Sequence, residues 1–201
     1  MMGAPRVTRG HGRLEGFLAR RRVHQAKRLI PSELAAGRVL DVGCGSYPLF
    51  LASTGFAEKY GLDRVPISPP ASVTGSLTLL RHDVHQAGRL PFEAGFFDVV
   101  TMLAVFEHIE PRPLDHLLAE ARRVLRPGGL FVMTTPAHWT GPLLSLLTRV
   151  GMVSGDEIEE HQGSYGRAEI RAALERAGFA PHEIRVGFFE AGMNNWATAT
   201  R

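Results

Sequence analysis

The nine residues from 38 to 46, RVLDVGCGS, constrain the fold of this chain more than any other stretch. Val39–Val42 reads as a short buried strand, because apolar and β-branched residues surround a single acid. Gly43 and Gly45 follow at once, and this spacing allows a tight turn that a ligand can approach without meeting a Cβ atom. Ser46 stands where a helix can begin and can cap its free N–H groups. This pattern opens a nucleotide-binding βαβ unit, with the ligand at the carboxyl end of the strand.

A second acid stands about 20 residues further on, where such a unit needs one. Asp63 ends the stretch KYGLD, residues 59–63, which reads as the next strand. A carboxylate at this place accepts hydrogen bonds from both ribose hydroxyls, so it favours adenosine and disfavours a 2′-phosphate. The two strand ends therefore predict a site for a ligand that contains adenosine.

Three motifs resemble those of the class I S-adenosylmethionine-dependent methyltransferases. They are VLDVGCGS followed by GLD, LPFEAGFFDVV at residues 90–100, and RPGGLFV at residues 126–132. The resemblance covers residues 35–136 well, and three motifs in order are more specific than one glycine turn. It implies an α/β fold, a Rossmann-like seven-stranded, mostly parallel sheet with helices on both faces and an antiparallel last strand. It also implies S-adenosyl-L-methionine as the cofactor.

Hydrophobic patterning places secondary structure around these motifs. The predicted strands cover residues 38–42, 58–63, 77–83, 97–103, 130–135, 183–189 and 196–200. The predicted helices cover residues 13–30, 46–55, 113–126 and 167–177. Pro and Ser are frequent in residues 64–76, so any helix between the second and third strands is expected to be short or distorted.

The 201 residues, 44% of them hydrophobic, suffice for one domain, predicted over residues 13–201 after a disordered basic tail at residues 1–12. The resemblance implies that the helix region 13–34 covers the cofactor. Residues 137–165 are too long for a bare loop, which predicts a lid or substrate-binding insertion. Neither a membrane span nor a signal core is expected, and Cys44 is the single cysteine. We therefore expect a cytoplasmic protein, as a monomer or homodimer.

The resemblance assigns the glycine turn to the cofactor. It implies that Asp41 orients the turn and contacts the amino group of the cofactor, directly or through water. Gly43, Cys44 and Gly45 are implied to line the cofactor. The third glycine of the family pattern is replaced by Tyr47, so the chain departs from the family at this point.

The remaining cofactor contacts are implied at the ends of the other strands. Asp63 is implied to bind the ribose, and Arg64 to lie along the adenine face. Asp83 is implied to accept from the adenine amino group while the backbone N–H of Val84 donates to a ring nitrogen. Backbone around Leu103 is implied to face the methionine part.

Histidines are the candidate bases, because an imidazole can take a proton near neutral pH. His108 and His161 are the candidates, and a base is needed only if the acceptor atom keeps its proton, as a hydroxyl does. Candidate contacts to the acceptor lie in or around the predicted lid, at His138, Trp139 and Tyr165. No Cys/His cluster has zinc spacing, so no metal is expected.

The first hypothesis is therefore a methyltransferase that acts on an O, N or C atom of a small-molecule acceptor. Residues 1–30 carry eight Lys/Arg and one acid, which keeps an RNA methyltransferase open, although nucleic acid is not favoured. A methyltransferase-like protein that binds without catalysis is a third reading. A nicotinamide oxidoreductase shares the glycine turn, but its Gly-x-Gly-x-x-Gly pattern would need glycine at Pro48.

Overall fold

A computed structural model describes residues 15–84, 88–140 and 165–201. Over these residues the chain forms one seven-stranded sheet in the order β3-β2-β1-β4-β5-β7-β6. The strands are β1 (Arg38–Val42), β2 (Glu58–Asp63), β3 (Ser76–Arg81), β4 (Phe97–Leu103), β5 (Leu125–Pro136), β6 (Ile184–Phe189) and β7 (Asn194–Thr200). β7 is antiparallel to its neighbours β5 and β6, and the pairings among β1 to β5 are parallel. The predicted sheet and its antiparallel last strand are confirmed.

The strand order reverses beside β1, which pairs with β2 on one side and β4 on the other. Ligands of open α/β sheets bind in the crevice at such a switch point, beyond the carboxyl ends of the strands. Residues 39–42 are all buried, because helices cover both faces of the sheet here. The fold therefore places the glycine turn after β1 in the crevice.

Helices lie on both faces of the sheet. They are α1 (Glu15–Leu29), α2 (Leu49–Ala52), α3 (Pro111–Val124) and α4 (Arg167–Arg176). Residues of α1 and α2, such as Ala26 and Phe50, pack in one apolar cluster against one face. Residues of α3 and α4, such as Leu118 and Ile170, belong to a larger cluster on the other face. No helix of these described residues is long and apolar enough to span a bilayer.

Three local predictions differ from the structure. Ser46 does not cap the next helix, because Pro48 occupies the N-cap position and α2 begins at Leu49. β3 ends at Arg81, two residues before Asp83. β5 begins at Leu125, opposite Phe97, and its pairing with β4 then shifts register before Val99. Residues 64–75 connect β2 to β3 without a helix, as their composition suggested. The predicted tail, residues 1–12, and residues 141–164 of the predicted lid lie outside the described residues.

A buried ion pair attaches the LPF segment to α3. The Arg123 guanidinium lies 2.6 and 2.7 Å from the two carboxylate oxygens of Glu120 and also donates to the carbonyls of Leu90 and Phe92. The Glu120 carboxylate accepts from the backbone N–H of Leu90 as well, at 2.9 Å. The hydrogen bond from Arg123 lowers the pKa of Glu120 from its ordinary 4.5; burial opposes this shift, and the Leu90 backbone bond adds to it. This arrangement fixes the chain that leads into β4.

Glu120→Gln is expected to lower the free energy of unfolding at neutral pH by about 1 to 3 kcal/mol, because it leaves the half-buried guanidinium of Arg123 without its counter-ion. The folded pKa is lowered, so the contribution exists above 4.5 and fades as the pH falls through the folded pKa. Urea unfolding at neutral and acidic pH measures this, with the exposed Glu175→Gln as control. An equal loss at both pH values would contradict the prediction.

Candidate functional site

The glycine turn after β1 forms the floor of the crevice. Gly43 and Gly45 have φ values of 75° and 77°, which only glycine adopts without strain. A Cβ on Gly43 would lie 2.5 Å from Cγ2 of Val105, so this glycine is also needed for packing against the segment after β4. A Cβ on Gly45 would meet nothing closer than the Tyr47 carbonyl oxygen at 3.9 Å. Gly45 therefore presents bare backbone to open space.

The turn is held against the end of β2. The backbone N–H groups of Gly43 and Cys44 both donate to the Leu62 carbonyl, at 2.8 and 3.1 Å. The Cys44 side chain is buried, and a Cβ on Gly61 would lie 2.9 Å from its sulfur. Cys44 thus packs between the turn and β2, while its contact with a cofactor stays a prediction.

Asp63 connects the end of β2 to the glycine turn. Its carboxylate is 3% exposed and accepts from the backbone N–H groups of Gly45, at 2.8 Å, and Val65, at 3.1 Å. The acid that was predicted to bind ribose therefore also shapes the turn beside it.

Asp41 is the second buried acid of the crevice, at the end of β1. The Thr101 hydroxyl of β4 donates to its carboxylate at 2.6 Å. Burial raises the pKa of Asp41 to about 7; the Thr101 bond opposes this rise and the negative charge of Asp63 adds to it. Asp41 consequently changes protonation near neutral pH, which is unusual for a carboxyl group.

The structure brings the remaining predicted cofactor residues to the same end of the sheet. Asp83 and Val84 are half-buried in the loop that follows β3, and Arg64 is exposed directly after Asp63. Leu103 is the half-buried last residue of β4. Their contacts with adenine and methionine stay predictions.

The backbone after β4 is strained. Ala104 has a φ of 58°, uncommon for a residue with a Cβ, and its N–H donates to the Thr134 carbonyl at 2.9 Å. The conformation turns the chain so that Val105 packs on Gly43. Strain of this kind is typical of ligand sites, where the surrounding structure enforces it.

The Glu-His pair after β4 separates into two environments. Glu107 is buried and its carboxylate accepts from the Thr135 hydroxyl at 2.9 Å. His108 is half-buried and closes a short 3₁₀ helix, Phe106–His108. Glu107 thus ties this helix to β5, while a catalytic role of His108 stays a prediction.

The structure gives the predicted acceptor contacts different surroundings. The hydroxyl of Tyr165 donates to the Ile109 carbonyl at 3.0 Å, and its ring packs edge-on against Phe106 in the larger apolar cluster. These contacts favour a core role for Tyr165. Trp139, in the 3₁₀ helix His138–Thr140, is 51% exposed and donates to the Gly192 carbonyl. His161 lies outside the described residues.

Sequence reasoning missed the partner of Asp41. Thr101 was read only as part of an apolar strand, FDVVTML, although it is the one hydroxyl in that run. A polar residue in a strand buried on both faces needs a hydrogen-bond partner, and this rule could have pointed to Thr101.

Among the described residues, no three His, Cys, Asp or Glu side chains are grouped so as to hold a metal ion.

Comparison with known proteins agrees with this geometry. A family model described as a methyltransferase domain matches residues 14–184. The chain belongs to this methyltransferase family, which confirms the class I resemblance and decides against the nicotinamide oxidoreductase. A solved S-adenosylmethionine-dependent methyltransferase from Archaeoglobus fulgidus shares the fold, with a TM-score of 0.66 at 16% identity over 89% of this chain and 92% of that one.

Two curated relatives show how wide the family is. The chain is 32% identical over 166 residues to a malonyl-[acyl-carrier protein] O-methyltransferase of Geobacter sulfurreducens, covering 73% of this chain and 57% of that one. It is 30% identical over 129 residues to a sterol 4-C-methyltransferase of Caenorhabditis elegans, covering 60% and 37%. The chain therefore spans about half the length, or less, of these relatives.

Gly43→Ala is expected to lower the free energy of unfolding by about 2 to 3 kcal/mol, because it adds left-handed strain and a clash with Val105. Gly45→Ala should cost about 1 kcal/mol, since it adds the strain alone. Urea unfolding measures both. In the Val105→Ala background, where the clash is removed, Gly43→Ala should lower the free energy of unfolding by less than it does in the wild type. Equal losses at the two glycines would show that the packing contact is unimportant.

Asp41→Asn is expected to raise the free energy of unfolding at about pH 8 by about 1 to 3 kcal/mol. The folded pKa, about 7, lies above the ordinary 3.8, so the wild type loses stability as the pH rises through this window. The amide does not titrate and escapes that loss. Urea unfolding without ligand at about pH 4 and about pH 8 should show the advantage only at the higher pH; a pH-independent difference would refute it.

Proposed function

We propose that this protein transfers a methyl group from S-adenosyl-L-methionine to a small-molecule acceptor. The observation that carries the proposal is the pair of buried acids, Asp41 and Asp63, on either side of a glycine turn whose Gly45 faces open space. The two acids lie at the carboxyl ends of the adjacent parallel strands β1 and β2, beside the switch point of the sheet. One ligand with a ribose and an amino group would engage both.

The residues of the crevice fit this cofactor. Asp63 would accept from the ribose hydroxyls, and bare backbone at Gly45 would let the sugar approach closely. Asp41 would face the amino group, since an ammonium ion favours the ionised form of a buried carboxylate. Asp83 and Val84 would hold the adenine edge, and backbone near Leu103 would lie along the methionine chain.

The cofactor supplies an activated methyl group when it is bound, so the protein needs to bind, orient and exclude water. The strained backbone at Ala104 and the packing of Val105 on Gly43 fix the segment after β4 before any ligand arrives. Such preorganisation helps to place an acceptor atom about 3 to 3.5 Å from the methyl carbon. His108, which follows this segment, would take a proton if the acceptor atom is a hydroxyl oxygen.

The acceptor class is inferred from the named relatives and from the surface near the end of β5. The relatives' names describe transfer to an oxygen of malonyl-[acyl-carrier protein] and to C4 of a sterol. Both acceptor groups are small organic moieties, which supports a small-molecule acceptor here, whether free or attached to a carrier. Exposed Trp139 at the end of β5 provides an aromatic surface on which such an acceptor could pack.

Calorimetric titration with S-adenosylmethionine, S-adenosylhomocysteine and NADH tests the cofactor assignment. The wild type should bind the two adenosyl compounds and not NADH. Asp63→Asn should weaken their binding about 10- to 100-fold, because the amide forms weaker bonds with the two hydroxyls. Glu93→Gln removes the charge of an exposed acid in the loop before β4, at the opposite edge of the sheet; it is the control and should bind as the wild type does.

Binding of NADH, or of no adenosyl compound by folded protein, would overturn the proposal. Circular dichroism checks the fold of Asp63→Asn, since Asp63 also accepts from the glycine turn. Binding of the adenosyl compounds without methyl transfer to any acceptor would favour the non-catalytic alternative. Transfer to RNA would favour the nucleic-acid alternative.

A further inference from the structure

The turn between β6 and β7, residues 190–193, has a strained backbone. Glu190 and Ala191 both have a φ of 54°, and Gly192 follows with a φ of 84°. Residues that carry a Cβ adopt this left-handed conformation singly and seldom in succession. Strain of this kind persists only where the surrounding structure enforces it, and it is concentrated at functional sites. The turn is therefore a candidate functional element.

The carboxylate of Glu190 fixes the turn. Its side chain is only 7% exposed, and one of its oxygens lies 3.0 Å from Arg21 Nε of α1. The other oxygen accepts from Asn194 Nδ2 of β7 at 2.7 Å. The backbone N–H of Ala137, which follows β5, donates to the Met193 carbonyl at 2.8 Å. The turn is thus held from α1, from the end of β5 and from β7.

The turn in its strained form holds the indole of Trp139. Nε1 of Trp139 donates to the Gly192 carbonyl at 3.2 Å, while 51% of the residue is exposed. Because φ and ψ set the direction of a carbonyl group, the left-handed turn decides where this indole is held. Trp139 follows β5, which pairs with β4 beside the crevice. An exposed aromatic ring is therefore fixed near the crevice before any acceptor binds.

Other exposed apolar side chains surround the same turn. Four large apolar side chains are exposed in the described part of the chain. Three of them form an aromatic rim around the turn: Phe17, Trp139 and Phe188. Phe188 lies two residues before Glu190 on β6, and Phe17 lies one helical turn before Arg21 on α1. The fourth, Leu80, lies on β3, the outer strand at the other side of the sheet. Exposed apolar surface concentrated in one place indicates a binding site.

Polar side chains near the rim are bonded within the protein. The Asn195 amide donates to the Tyr165 carbonyl at 3.1 Å, and the Tyr165 hydroxyl donates to the Ile109 carbonyl at 3.0 Å. The Thr135 hydroxyl donates to the Glu107 carboxylate at 2.9 Å. The rim therefore offers mainly aromatic surface. Burial against such a surface favours an apolar group, whereas a polar group that loses its water there is penalised.

We propose that the methyl acceptor is lipophilic and that its apolar part, an alkyl chain or an apolar ring system, packs on Trp139 and the aromatic rim. Glu190 is a positioning residue, because it holds the turn that fixes Trp139. The inference rests on the proposed function and names the class of acceptor. The rim holds the apolar part beside the crevice, and the atom that accepts the methyl group faces the cofactor.

Calorimetry with straight-chain alcohols tests the acceptor class, with S-adenosylhomocysteine present. Hexanol, octanol and decanol share one polar group and differ only in apolar length. Each added methylene should tighten binding about 2- to 3-fold, because more apolar surface leaves water. Trp139→Ala should weaken decanol binding about 10-fold and leave the affinity for S-adenosylhomocysteine unchanged. Leu80→Ala, at the exposed apolar residue away from the turn, is the matched control and should bind decanol as the wild type does.

Fluorescence tests the positioning role of Glu190. In a Trp196→Phe background Trp139 is the sole tryptophan, so the anisotropy of its emission reports the freedom of its indole. In that background Glu190→Gln should lower the anisotropy and weaken decanol binding about 2- to 5-fold. Circular dichroism and the affinity for S-adenosylhomocysteine should not change. Glu175→Gln, at an exposed acid of α4, is the matched control and should leave all four measurements unchanged.

Equal affinities for the three alcohols, or decanol binding that Trp139→Ala leaves unchanged, would overturn the inference in favour of a polar acceptor. Equal weakening by Trp139→Ala and Leu80→Ala would also overturn it, because decanol would then bind without a defined site. Binding to phosphatidylcholine vesicles through Trp139, without binding of the free alcohols, would overturn it in favour of a membrane contact.

Two further outcomes separate the parts of the inference. Unchanged anisotropy in Glu190→Gln would overturn the positioning role of Glu190. A wild type that binds the alcohols according to chain length but binds no S-adenosylhomocysteine would overturn the proposed function, and the lipophilic site would stand without it.

Discussion

The parallel pairing of β1 with both β2 and β4 is the constraint on which the rest of this structure depends. It brings the carboxyl ends of three strands together, and with them Asp41, Asp63 and Leu103. The pairing encloses both edges of β1 and helices cover its faces, so Asp41 is buried and its carboxylate accepts from Thr101 of the neighbouring strand. The chemistry of the crevice thus follows from strand order.

The carboxyl edge of the sheet also carries energetically unfavourable features. A buried carboxyl group with a raised pKa and an alanine with left-handed backbone at position 104 both lie toward this end. The amino end contrasts with it, because Asp98 there is paired with Arg126 and accepts from the backbone N–H of Arg38. Unfavourable local energies of this kind are typical of a ligand site, since the free energy of ligand binding can offset them.

Sequence patterns were reliable where one local rule decided the outcome. β1, β2 and β4 have the predicted bounds. In β1 and β4 a mostly apolar run that is buried on both faces leaves little choice of conformation. The predicted cap at Ser46 was wrong, because the turn continues to Pro48. Distant residues decide the surroundings of Tyr165, which packs against Phe106 and donates to Ile109, more than fifty residues earlier in the chain. Its contact with an acceptor stays a prediction.

The class of fold, the glycine turn and the two acids could be predicted from residue spacing, because that spacing reflects strand length and turn geometry. The ionisation of those acids depends instead on how the chain packs. The pKa of Asp41 depends on burial, on Thr101 and on Asp63, and none of these is adjacent to it in sequence. Likewise, Glu190 reads as one polar residue of the turn EAGMNN, and only the packing of α1 on the sheet supplies Arg21 as its partner. Solvation and partner geometry are properties of the folded surface, which residue spacing does not encode.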